Sequence, residues 1–78
     1  MKLEVGKNYK TRGGWKAKVI WIVQRPQGFP WAWVIHRPGE QFESEAMRHQ
    51  ADGAYFVGAE SMYLEEHPAD LIAVWPEA

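Results

Sequence analysis

The chain has 78 residues, five tryptophans, no cysteine and a formal net charge of −1. A length of this order supports one hydrophobic core, so residues 1–78 are expected to form a single β domain of modest stability. The lack of cysteine rules out disulfides and thiolate metal sites and suits a reducing compartment. No apolar run approaches a membrane span, and the N-terminus "MKLEVGKNYK" turns polar too soon for a signal peptide, which points to the cytoplasm and no membrane association. The small net charge conceals an asymmetry: residues 1–39 carry eight Lys/Arg against one Glu, and residues 40–78 carry one Arg against nine Asp/Glu. Such a split marks either a binding surface or oppositely charged strands paired across a sheet.

In chain order, Asn8 to Thr11 alternates in polarity and leads into "RGG", followed by "WKAKVIWIV". A loop of Arg12, Gly13 and Gly14, with Gly14 left-handed, pairs Thr11 with Trp15, Lys10 with Lys16 and Tyr9 with Ala17. Tyr9 then shares an apolar face with Trp15, Ala17, Val19, Trp21 and Val23, while Lys10, Lys16 and Lys18 gather on the outer face. "RPQGFP" is a loop broken by Pro26 and Pro30. "WAWVIHR" is the next strand, with Trp31, Trp33 and Ile35 on one face and Ala32, Val34 and His36 on the other. "PGE" turns the chain into "QFESEAMRH", an amphipathic strand. Asp52-Gly53 marks a hairpin returning through "AYFV". Pro68 ends an irregular stretch with room for one short helical turn, and "LIAVW" closes the chain as a strand placed to pair with the first. The expected fold is mainly β: a small, strongly curved antiparallel sheet or open SH3-like barrel of five to six strands. Apolar side chains on a second face, at Ile20, Ile22, Ala32 and Val34, need cover, which a short helix or a second copy would supply, and a homo-oligomer is favoured.

The sequence offers little for catalysis. Ser44 and Ser61 lie outside any nucleophile elbow, and His36, His49 and His67 lack metal-ligand spacing. Gly13-Gly14 is a turn, not a phosphate loop. No catalytic residue, cofactor or metal is expected, and the reading is of a non-enzymatic protein. Binding chemistry is better supplied: Lys10, Arg12, Lys16, Lys18 and Arg25 suit phosphate, and Trp15, Phe29 and Trp31 suit base stacking. The acidic half would repel a long polyanion, so a compact ligand is favoured over extended nucleic acid.

Three stretches, "VGKNYKTRGGWKAKV", "ADGAYF" and "HPADLIAVW", together resemble a group of small bacteriophage-encoded accessory proteins. Their pattern opens G-K-x-Y-x-T-R-x-G-x-K-A, has a central D-G-x-Y and ends D-L-[IV]. The matching positions are Gly6, Lys7, Tyr9, Thr11, Arg12, Gly14, Lys16 and Ala17, then Asp52, Gly53 and Tyr55, then Asp70, Leu71 and Ile72. Gly13 departs from the usual Asp or Asn, and Trp15 from a residue that is often charged. Most members lack an assigned function, so the resemblance carries no site residues. It implies a phage or prophage product acting inside a bacterial host cell, where small accessory proteins often blunt host defences. The leading expectation is a counter-defence protein that sequesters a small phosphate-bearing, nucleotide-like ligand. The alternatives are an inhibitor that blocks a host defence protein through Glu40, Glu43, Glu45, Glu60, Glu65 and Glu66, and a self-associating structural domain.

Overall fold

A computed structural model describes residues 2–24, 30–50 and 67–76. Within them the chain forms five strands: β1 (Asn8–Thr11), β2 (Lys16–Val23), β3 (Trp31–His36), β4 (Met47–Gln50) and β5 (Leu71–Val74). They make one antiparallel sheet in the order β4-β3-β2-β1-β5, strongly curled into a half-barrel. This is the curved antiparallel sheet expected from the sequence. The Asp52-Gly53 hairpin, the "AYFV" strand and most of the "RPQGFP" loop lie outside the described residues, as does most of the stretch before Pro68. No described helix is long and apolar enough to cross a membrane.

The first hairpin takes the predicted register, with Tyr9 opposite Ala17 and Lys10 opposite Lys16. Its turn closes through Gly14 N–H to Thr11 O at 2.9 Å, with Gly14 at φ 97°. A left-handed residue there matches the right-handed twist of the strands, which is why glycine is needed. The buried Thr11 reinforces the closure, since its hydroxyl accepts from Trp15 N–H at 3.0 Å and donates to Trp15 O at 3.1 Å.

Cross-strand rows build the buried face: Tyr9, Ala17 and His36, then Val19, Val34 and Met47, then Ile22, Ala32 and His49. Tyr9, Ala17, Val19, Ala32 and Val34 are fully buried, and Leu3 and Leu71 join them in the core of the described residues. Small residues stand opposite both histidines, which leaves space for the imidazoles. Cutting a residue such as Val34 back to Ala would cost on the order of 2 kcal/mol. Tyr9 also fixes the N-terminal arm, because its hydroxyl accepts from Glu4 N–H at 2.7 Å.

Three expectations are corrected. The β2–β3 register shifts between Val19 and Trp21, so Ile20 is an extra residue and the alternation slips by one. Trp21 and Val23 therefore leave the face of Ala17 and Val19. Trp21 pairs with Trp33 on the outside and is 62% exposed. Second, Ala32 and Val34 face the core, and Ile22 packs against it, so these residues do not form a second apolar face in need of cover. Third, "QFESEAMRH" is a strand only from Met47. Residues 37–46 are mainly turns, held by Glu40 N–H to Arg37 O and Ser44 N–H to His36 O.

Candidate functional site

At the mouth of the first hairpin, Gly14, Trp15, Lys16, Arg37, Pro38, Glu40 and Trp75 line an open cleft of about 420 Å³. Two backbone bonds far apart in sequence assemble it. Arg37 N–H donates to Lys16 O at 2.8 Å, setting the β3–β4 turn beside the hairpin, and Trp75 N–H donates to Asn8 O at 3.0 Å, bringing the end of β5 alongside. The turn reverses at Pro38-Gly39, with Gly39 at φ 80°.

Cations lie over both indoles. The Arg37 guanidinium stands 4.5 Å from the Trp15 ring centroid, and the Lys16 ammonium is 5.9 Å from that of Trp75. Arg37 holds φ 55°, the left-handed region, where a side chain costs roughly 1–2 kcal/mol. Among the described residues Lys7 pairs with Glu4 and Arg12 with Asp70, and no ion pair is formed by Lys16 or its neighbours Lys10 and Lys18. None of the five described strands contains Asp or Glu, and their cations Lys10, Lys16, Lys18 and Arg48 all lie on the outer face. The described strand residues of the outer face therefore carry charge of one sign.

Behind the cleft runs a buried hydrogen-bond chain. Trp15 Nε1–H donates to His36 Nδ1 at 2.7 Å. An indole can only donate, so the neutral His36 carries its proton on Nε2, directed at His49 Nε2 3.2 Å away. His49 then carries its proton on Nδ1, toward Met47 O at 3.4 Å. Burial above all, with lesser contributions from His49, Arg37 and His67, lowers the His36 pKa from 6.5 to about 4. Burial lowers that of His49 too, against the opposing pull of the Ala69 and Met47 carbonyls and of Asp70. Among the described residues no group of three or more His, Asp or Glu converges as metal ligands.

Of the basic and aromatic residues singled out by sequence, the cleft collects Trp15 and Lys16, with Lys10 opposite Lys16 on the same face. Arg12 is not among them. It pairs with Asp70 at 3.5 Å, and the hairpin tip is tied to the 67–70 turn by Arg12 N–H to Asp70 O and Gly13 N–H to Pro68 O, both 2.8 Å. Lys18 lies further along the outer face opposite Ile35, and Trp31 stands across the sheet against Trp33. Arg25 and Phe29 lie outside the described residues, as do Glu60, Glu65 and Glu66. Glu40 lines the cleft, Glu43 accepts from Gly39 N–H at 2.7 Å, and Glu45 is exposed. Sequence reasoning missed Arg37 and Trp75, whose only signal was a basic residue before Pro-Gly and an aromatic closing the last strand.

Of the phage-like motif positions that are described, most are framework, while Gly14 and Lys16 also line the cleft. Gly6 and Gly14 are left-handed, Tyr9, Thr11 and Ala17 are buried, and Arg12 meets Asp70 while Thr11 pairs with Leu71. Gly13 lies directly against the Trp15 ring. A Cβ on Gly13 would collide with the six-membered ring of Trp15, so an indole at 15 requires glycine at 13.

Fold and cleft together define a small curled-sheet domain with an aromatic and cationic recess at one corner. Neither a protein-family model, nor a curated protein, nor a solved structure matches the chain.

Proposed function

We propose that this protein is a non-catalytic binder of a small phosphate-bearing, nucleotide-like ligand, held in the Trp15–Trp75 cleft. The observation that carries the reading is Arg37, kept in a backbone conformation that favours glycine while its guanidinium lies over Trp15. Strain of this kind persists where surrounding structure or function requires it. Arg37 and Lys16 supply charge for phosphate, and Lys10 adds to the local field. Trp15 and Trp75 offer ring faces on which a base can stack. Glu40 at the rim opposes a highly charged anion and favours a ligand with few phosphates.

In the phage setting implied by the resemblance, such a binder would withdraw a nucleotide signal from host defence. Native mass spectrometry of protein purified from bacteria tests for a retained ligand. Titration of tryptophan fluorescence with ADP tests the site: saturable quenching is expected, and the Lys16→Ala/Arg37→Ala double variant should lose it. Quenching that survives both changes would place the ligand elsewhere.

A further inference from the structure

We infer that the outer face of β2, β3 and β4 is a second site, separate from the cleft, that takes the bases of single-stranded nucleic acid. The register shift at Ile20 sets Trp21 directly across from Trp33, and Arg48 stands across from Trp33 on the other side. The next row places Val23, Trp31 and Gln50 side by side. Trp31 and Trp33 meet edge to face, with centroids 4.9 Å apart and planes at 79°, and the Arg48 guanidinium lies 5.7 Å from the Trp31 centroid. Trp21 is 62% exposed although it sits mid-strand in a small sheet that buries smaller side chains on its other face.

Charge selects the occupant. The described strand residues of this face include Lys18 and Arg48, with Lys16 at the edge nearest the cleft, and no carboxylate. A second copy docking face to face would bring these cations together, whereas a polyanion with unpaired bases matches both the charge and the rings. The turn acids Glu40, Glu43 and Glu45 belong to residues 37–46, beyond the ends of β3 and β4. A double helix keeps its bases stacked internally and cannot offer them to Trp21, so a single strand is preferred. From Lys18 to Trp21 the strand covers about 10 Å, enough for a short contact and not for a long track.

The test uses fluorescence anisotropy of the whole protein with a fluorescein-labelled oligothymidylate of about ten nucleotides, alone and annealed to its complement. The single strand should bind more tightly than the duplex. Trp21→Ala should weaken it roughly 5- to 150-fold, the range for one stacked base, while leaving the ADP titration of the cleft unchanged. Lys18→Glu, at another exposed position, should weaken it independently and make the salt dependence shallower by about 0.7 or more in log–log slope. Circular dichroism checks that both variants fold. Absence of oligothymidylate binding at low salt, or binding indifferent to both changes, overturns the inference whether or not ADP binds. A dimer that Trp21→Ala dissociates, with no oligonucleotide bound, overturns it as well and assigns the face to self-association.

Discussion

The indole Nε1 of Trp15 and the imidazole Nδ1 of His36 are 2.7 Å apart, joining a cleft residue to the buried face of the sheet. Because Nδ1 must accept, a proton added to His36 would break this bond. A proton added to His49 at Nε2 would gain Ala69 O, 3.1 Å away, but would meet the hydrogen of His36 head on.

Acid should therefore destabilise the fold within a defined window. Both histidines have folded pKa values below the ordinary 6.5, so the unfolded chain binds more protons as pH falls beneath it. Stability should be level above about pH 6.5 and decline toward pH 4, with a slope approaching 1.4 kcal/mol per pH unit for each histidine that stays neutral. Urea unfolding between about pH 7 and pH 4.5 measures this. A flat profile would mean that the pair protonates without leaving its place.

Gly13→Ala should displace Trp15 from its seat. The added methyl group occupies space held by the indole ring. We expect a red-shifted tryptophan emission, weaker ADP binding and a loss of about 1–3 kcal/mol, the usual scale for forcing an overpacked site. Combining Gly13→Asp with Trp15→Lys should relieve the clash, leaving the smaller loss of the Trp15–His36 bond, and should not recover the binding. Equal damage from the single and double changes would argue against a local clash.

Arg37→Gly separates stability from binding. Glycine removes roughly 1–2 kcal/mol of left-handed strain but gives up about 0.5–1 kcal/mol of contact with Trp15 and some unfolded-state entropy. Thermal unfolding should stay within about 1 kcal/mol of the parent, while ADP affinity falls about tenfold or more, as expected for loss of a charge-assisted contact. Parallel loss of both would make Arg37 a fold residue only.

Asp70→Asn should loosen the hairpin without emptying the cleft. Asp70 Oδ2 accepts from His67 N–H at 2.9 Å and pairs with Arg12 at 3.5 Å, near the main-chain bonds of the hairpin tip. Neutralising it is expected to cost about 1–2 kcal/mol. Hydrogen exchange should show the effect at Arg12 and Gly13 before the strands open. Protection unchanged at those two amides would count against the tie.

Local chemistry makes the hairpin, the faces of β3 and the closing strand legible in the sequence. Only a loop of Arg12, Gly13 and Gly14 keeps Tyr9 with Ala17, and Ala32, Val34 and His36 alternate without interruption. The cleft was half legible. Trp15 and Lys16 are neighbours in sequence, but Arg37 and Trp75 arrive through backbone bonds to Lys16 and Asn8, which no periodicity encodes. Arg12 looked free because its partner Asp70 lies 58 residues later and meets it only through the pairing of β1 with β5. Trp21 was misassigned because strict alternation was carried past Ile20.

That one extra residue gives β2 two phases. Up to Val19, counting by twos from Ala17 stays inside the protein; from Trp21 onward the same count walks along the outside. Removing Ile20 would leave Trp21 outward and Ile22 inward, so each side chain would keep its destination while the strand lost its kink. What the insertion contributes is then shape and not address: bulges sharpen the bend and twist of a sheet, and here the bend lies within the longest strand. A chain shortened by that single isoleucine would have the same inventory on each side of a flatter sheet, less able to enclose its own interior.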